Sequence, residues 1–196
     1  MDEEFSVDTL GGVVKCTVSE GGNKITVEMG KVSFDAKKIP VLGVDGEVVD
    51  KQFEIDGKKY DYCCATVGNP HCVLPMKEVS SEIAHALGPK IENMTSIFPN
   101  RTNVQFLQVL DRNNIKIEIW ERGAGYTLAS GSSSSAAASV AHKLGLCDGD
   151  ITVHMEGGNL SIKIAPDFSI TMTGPATPVG VYEMSPEVLS QVVPLK

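Results

Sequence analysis

The sequence predicts an α+β fold, and three observations carry that expectation. Two β-meanders with matching turn spacing stand near either end, strands dominate the stretch between them, and one helix is built almost wholly of small residues. The 196 residues are 42% hydrophobic and 21% charged, ordinary globular material for one large domain or one domain plus a fragment of another.

The first meander is FSVDTLGGVVKCTVSEGGNKITVEMG, where apolar and polar residues alternate between Gly-Gly and Gly-Gly-Asn turns. KKYDYCCATVGNPHCVLPM then reads as a buried strand, a Gly-Asn-Pro turn and a second short strand. SSEIAHALGPKIEN predicts a helix capped by Ser80 or Ser81, with Ile83, Ala84 and Leu87 on one face and Gly88-Pro89 as its stop. NRTNVQFLQVLDRNNIKIEIWERG is a hairpin turning at Asp111–Asn114, with Val104, Phe106, Ile115, Ile117 and Ile119 at period two.

The second meander, ITVHMEGGNLSIKIAPDFSITMTG, repeats the layout of the first. Val7, Gly11, Gly12 and Val18 align with Val153, Gly157, Gly158 and Ile164 without a gap, and one short gap then aligns Ile25-Thr26 with Ile170-Thr171. Shared turn spacing of this kind marks an internal repeat. Residues 31–150 precede the second meander, and no equivalent precedes the first. The expected layout is therefore the closing hairpins of one half followed by a complete second half.

GYTLASGSSSSAAASVAHKLGLC joins a glycine- and serine-rich loop to a helix carrying Ala136, Ala137, Val140, Ala141 and Leu144, ended by Gly145. Small residues nearly all round indicate a helix packed closely on several sides, as inside a barrel or between layers. The serines stand at its N-terminus, where backbone N–H groups lack partners and the dipole is positive. One serine suffices for a cap, so four in a row, Ser132 to Ser135, point to a carboxylate or phosphate site there. No Lys-Ser or Lys-Thr follows the glycine as in a Walker loop, Ser130 does not sit in G-x-S-x-G, and no S-x-x-K occurs in the stretch.

A net charge of −8 argues against nucleic acid, which needs clustered Lys and Arg. No apolar run approaches the roughly 20 residues of a membrane span. The start, Met1-Asp2-Glu3-Glu4, lacks the features of a signal peptide, so a cytoplasmic protein with reduced thiols is expected. The five cysteines, Cys16, Cys63, Cys64, Cys72 and Cys147, have no framework spacing. Cys63 and Cys64, adjacent on a strand, point to opposite faces and do not readily share an ion, so no metal is expected.

Taken together, Gly68-Asn69-Pro70-His71-Cys72-Val73, Arg101-Thr102-Asn103-Val104, Glu121-Arg122-Gly123-Ala124-Gly125 and Thr127-Leu128-Ala129-Ser130-Gly131, with the closing Gly174-Pro175-Ala176, resemble diaminopimelate epimerase in order and spacing. The resemblance covers nearly all of the chain. It implies a cofactor-independent amino-acid epimerase acting on LL- and meso-diaminopimelate, in lysine and cell-wall precursor synthesis. The implied fold has two pseudo-symmetric halves, each an antiparallel, barrel-like sheet wrapped on a central helix. Residues 1–30 would be the last meander of the first half, 31–174 the complete second half, and 175–196 a segment returning toward the first.

In that family two cysteines, one from each half, face opposite sides of the substrate α-carbon, and one removes a proton while the other donates one. The α-carboxylate rests on helix N-termini, here Gly131 and Ser132. Asn69, Asn103, Glu121 and Arg122 would hold the distal amino-acid end, the carboxylate of Glu121 suiting an ammonium and the guanidinium of Arg122 a carboxylate. His71 would lie beside the site and assist proton transfer.

Two departures stand out. Ser130 occupies the position of the second catalytic cysteine, and Tyr126 a position where the family commonly has Glu. Cys72 belongs to the Gly-Asn-Pro-His motif and Cys147 follows the far end of the helix, so neither replaces the missing thiol. The partners implied are a diaminopimelate-like amino acid and either a second copy or a separate N-terminal half. The alternatives are a non-catalytic half-domain that binds an amino acid, and another racemase, isomerase or dehydratase on the same fold.

Overall fold

Period-two alternation and glycine turns set the strands where the sequence places them. The computed structural model describes residues 3–9 and 12–190; Gly11 and the end of the C-terminal segment, 191–196, lie outside the described residues. The first meander is β1 (Glu3–Thr9), β2 (Gly12–Ser19) and β3 (Lys24–Lys31). The middle carries β4 (Lys51–Ile55), β5 (Lys58–Thr66), β6 (Pro70–Pro75), α1 (Ser81–Glu92), β7 (Asn103–Asp111), β8 (Asn114–Glu121), β9 (Gly125–Thr127) and α2 (Gly131–Lys143). The second meander is β10 (Asp150–Met155), β11 (Gly158–Ile164) and β12 (Ser169–Pro175), and a short α3 (Pro186–Ser190) follows.

All twelve strands join one open sheet in the order β1-β2-β3-β12-β11-β10-β8-β7-β6-β5-β4, with β9 added beside β8. The sheet is mixed rather than purely antiparallel, because β6 runs parallel to β7 and β10 parallel to β8. It curls round α2, which packs against β5 to β8 and β10 to β12. Every residue of α2 from Ser133 to Ala141 is buried. Side chains of Ala and Ser size permit that approach; larger ones would overpack the site at a cost of about 1–3 kcal/mol. The helix ends in a Schellman motif, Gly145 taking φ 72° while its N–H reaches His142 O and that of Leu146 reaches Ala141 O.

Alternation along the central strands feeds two apolar layers. Val73, Leu107, Ile115, Ile117, Ile119, Ile151 and Ile162 face α2, while Cys72, Leu74, Val104 and Phe106 face α1 and the segment around Phe98. Val104 and Phe106 thus serve the opposite layer from Ile115, Ile117 and Ile119, so β7 and β8 are covered on both faces. Cys63 and Cys64 likewise divide between the layers.

The repeat is real in register. Val7 faces Val14 and Thr9 faces Gly12 in the first hairpin, as Val153 faces Leu160 and Met155 faces Gly158 in the second. After the one-residue gap, Val18 opposite Ile25 corresponds to Ile164 opposite Ile170. The meanders meet antiparallel through β3 and β12, where Val27 faces its own equivalent, Met172, flanked by Thr26–Thr173 and Glu28–Thr171. This is a local two-fold arrangement. In the second meander Ile151, Val153, Ile162 and Ile164 are buried under α2. Of their equivalents, Phe5 is 48% and Val7 40% exposed, so no helix covers that face among the described residues.

The sequence misplaces one boundary. Helix α1 does not stop at Gly88-Pro89 but runs through Pro89 to Glu92. Pro89 forgoes the hydrogen bond to His85 O, which ordinarily ends or kinks a helix. Here tertiary contacts hold the last turn. Gly88 lies flat on the Trp120 side chain, Lys90 pairs with Asp56, and Glu92 is bonded on both oxygens. A Cβ on Gly88 would come within 2.7 Å of Trp120 Cδ2, so the glycine serves close approach rather than termination. Ser80 is the N-cap, accepting from the Ile83 N–H at 3.4 Å.

Candidate active site

The sequence-predicted site residues stand at one end of the sheet, delivered by four local devices. Gly68, at φ 119°, makes the sharp entry into β6 that carries Asn69 and His71. The parallel register sets His71 beside Asn103 at the start of β7. The turn from β8 to β9 presents Glu121 and Arg122, and the loop after β9 delivers Ser130 to the N-terminus of α2. That loop is held from below, since Gly157 in the β10–β11 turn donates to Leu128 O at 2.8 Å. Gly131 lets the helix end abut β12; a Cβ there would lie 2.8 Å from Met172 Sδ.

Hydrogen bonds connect most of these residues. Asn69 Nδ2 donates to Ser132 Oγ at 3.3 Å, and His71 Nε2 lies 2.9 Å from Asn69 Oδ1. Asn103 braces two turns: its Nδ2 donates to Pro70 O at 2.8 Å, and its Oδ1 accepts from the Arg122 backbone N–H at 2.9 Å. The exposed Arg122 guanidinium is steadied by Nη1 donating to Asn100 O at 2.9 Å. Glu121 accepts from Thr127 Oγ1 at 3.3 Å. Ser130 and Gly131 have no side-chain bond to this set and join it through the chain, immediately before Ser132.

The serine run divides its work. Ser134 Oγ donates to Ser130 O, Ser135 Oγ to Gly131 O and Ser139 Oγ to Ser135 O, which returns those hydroxyls to the helix backbone. Ser133 Oγ accepts from Gln105 Nε2 at 3.0 Å. Ser130 is the N-cap residue, yet its side chain makes no capping bond and its hydroxyl remains available. The first intrahelical bond is Ser134 N–H to Ser130 O, so the N–H groups of Gly131, Ser132 and Ser133 have no acceptor among the described residues. An anion at this end would therefore meet backbone N–H groups with Ser130 and Ser132, and not four free hydroxyls.

His71 is wholly buried, and loss of solvation pushes its pKa down to about 3, with the Arg122 charge adding to the effect. It is a neutral imidazole bonded to Asn69. All five cysteines are free and buried, and burial pushes the Cys63 thiol up to about 11 and that of Cys64 well above its usual value. Tyr126 faces the α1 layer, where its OH donates to Glu118 Oε2 at 2.7 Å and its ring meets His85.

Two supporting residues escape a sequence reading. Glu92, at the C-terminal end of α1, has Oε1 bonded to Arg101 Nη1 and the Gly123 N–H, both at 2.9 Å, and Oε2 bonded to Trp120 Nε1 at 2.8 Å. It ties Arg101, strained at φ 57°, to the turn bearing Arg122. An acid at the negative end of a helix is disfavoured there, and that is the signal that could have marked it. Gln105 is fully buried against α2, and its signal is a polar residue at the inward position preceding Leu107.

Comparison with known proteins shows the family and the fold. The family model described as diaminopimelate epimerase matches residues 63–179. The chain is similar to a "Diaminopimelate epimerase 2" of Nostoc sp., 52% identical over 96% of this chain and 66% of that protein. It is also similar to a diaminopimelate epimerase of Alkaliphilus metalliredigens, 40% identical over 92% of this chain and 65% of that protein. The chain thus spans slightly less than two thirds of the length of these relatives. Among solved structures, a probable proline racemase from Agrobacterium radiobacter matches with TM-score 0.69 at 13% identity, over 94% of this chain and 61% of that one. A hydroxyproline epimerase from Agrobacterium vitis matches with TM-score 0.64 at 13% identity, over 89% and 56%. At that identity the two structures bear on the fold alone.

Proposed function

The chain belongs to the diaminopimelate epimerase family, and from that premise we propose that it carries the substrate-holding face of a cofactor-independent amino-acid epimerase for diaminopimelate. The observation that carries the reading is the N-terminus of α2, where three unpaired N–H groups and two hydroxyls converge beside the Asn69–His71 and Asn103–Arg122 pairs. The N–H groups of Gly131, Ser132 and Ser133 bind the α-carboxylate, with the helix dipole and the Ser132 hydroxyl adding to the attraction. Arg122 forms a forked pair with the distal carboxylate and Glu121 receives the distal ammonium. Asn69 and Asn103 hold these turns in place and face the amino-acid groups.

Ser130 stands next to the α-carbon. A thiol has a reference pKa near ~8.5 and is readily deprotonated at a helix N-terminus; a serine hydroxyl is a far weaker acid. His71 supplies no effective base to it, because burial lowers its pKa to about 3 and Asn69 already engages its Nε2. Ser130 therefore serves as a hydrogen-bond or proton donor and does not abstract the α-proton. The protein acts in the cytoplasm and takes no cofactor in this reading.

The test is solvent deuterium entry at the α-carbon of LL- or meso-diaminopimelate. The 196-residue chain is expected to give none. Co-expression of its Ser130→Cys variant with an N-terminal half bearing the other cysteine is expected to restore exchange. Robust deuteration by the unmodified chain would overturn the role given to Ser130, and absence of any binding would overturn the substrate assignment.

A further inference from the structure

The buried wall behind the site contains a hydrogen-bond chain with one defect. Ser132, Asn69 and His71 are bonded in series and Gln105 is bonded to Ser133, so that both pieces end on the first turn of α2, and Gln105 lies beside His71 across the gap between them. His71 and Gln105 are fully buried. Two of their polar atoms have no partner as placed, His71 Nδ1 and Gln105 Oε1. Two unpaired buried polar atoms next to each other would cost about 1–3 kcal/mol apiece, and native proteins rarely tolerate that.

A carboxamide exchanges its oxygen and nitrogen by half a turn about its last bond without changing shape. With Gln105 so turned, Nε2 donates to His71 Nδ1, and Oε1 accepts the Ser133 hydroxyl, which has its proton free. Both orphans are satisfied, and the two bonds of Asn69 stay as they are. His71 then must carry its proton on Nε2, where Asn69 Oδ1 accepts it. Asn69 in turn gives an N–H to Ser132, whose oxygen is thereby occupied as an acceptor and whose own proton points outward. The opposite polarity would require Asn69 to turn, and would consume the Ser132 proton within the wall.

We propose that Gln105 is a positioning residue: by donating to His71 Nδ1 it fixes the Nε2–H tautomer and, through Asn69, turns the Ser132 hydroxyl into a hydrogen donor toward the ligand. A carboxylate takes only donors, so this polarity matches the N–H groups of the same helix turn. Turning Asn69 instead would satisfy the same two atoms, so the choice between the two polarities rests on the carboxylate ligand of the proposed function.

The test is nitrogen-15 NMR of the histidine rings in the ligand-free 196-residue chain near pH 7. The His71 ring is expected to show a protonated Nε2 and a bare, hydrogen-bonded Nδ1; a protonated Nδ1 would overturn the proposal. In Gln105→Met, which keeps the bulk and removes the donor, the Nδ1 resonance is expected to move downfield. An unmoved Nδ1 resonance in a folded variant would also overturn it, and the wild-type spectrum decides the matter if the variant does not fold. A chain that shows the expected tautomer yet binds no meso-diaminopimelate would separate failure of the substrate assignment from failure of this one.

Discussion

Acidification should weaken this fold through His71. Its pKa is about 3 in the folded chain against an ordinary value of 6.5, chiefly because burial removes the charged form from solvent. As pH falls through 6.5 the unfolded chain takes up a proton at this position while the folded chain does not. The folded state is therefore favoured fully above pH 6.5 and progressively less below it, down to about pH 3. Between pH 7.5 and 5.0 the loss amounts to about 1.5 pH units of differential binding, or about 2 kcal/mol. Urea unfolding of the wild type and of His71→Gln at both pH values isolates this contribution, because the difference between their pH responses cancels the other titrating groups. The wild type is expected to lose about 2 kcal/mol more than the variant. Equal losses would refute the buried, neutral state of His71.

Three further substitutions probe the supports of the site. Gly88→Ala drives a methyl group into the base of the Trp120 side chain, and overpacking of about 1–3 kcal/mol outweighs the gain of about 1 kcal/mol in helix propensity, so thermal unfolding should occur at lower temperature. Glu92→Leu strips the acceptor from the Trp120 indole, the Gly123 N–H and Arg101, and a loss of at least about 2 kcal/mol in urea unfolding is expected. Arg122→Ala removes a charge-assisted contact worth about 1.5–3 kcal/mol, so calorimetry should show meso-diaminopimelate binding weakened roughly tenfold or more.

The internal repeat was legible because glycine pairs fix hairpin register, and register can be read from spacing alone: Gly157-Gly158 predicts Met155 opposite Gly158 as directly as it predicts the turn. The helix after Ser130 was legible for the same local reason, a small-residue run with a glycine stop. What escaped depended on contacts between distant segments. Gly88-Pro89 reads as a terminator until Trp120 is seen lying on Gly88, and nothing near residue 88 announces that ring. The serine run announced a helix end correctly, yet the use of each hydroxyl follows from what lies beside it. Ser133 meets Gln105, Ser134 and Ser135 turn back on the helix, Ser132 meets Asn69, and the Ser130 side chain makes no capping bond. Asn69, Asn103 and Arg122 fall in motifs whose order the sequence displays, whereas Glu92 and Gln105 lie outside every motif and act only through partners brought by the fold.

The proposed site is tested most directly by where a ligand carboxylate sits. Backbone amide shifts of the nitrogen-15-labelled chain, followed as meso-diaminopimelate is added, measure this without requiring turnover. The Gly131, Ser132 and Ser133 amides are expected to move together and to saturate with the Arg122 side-chain signal. Saturating shifts confined to other parts of the sheet, with these three amides unmoved, would contradict the assignment.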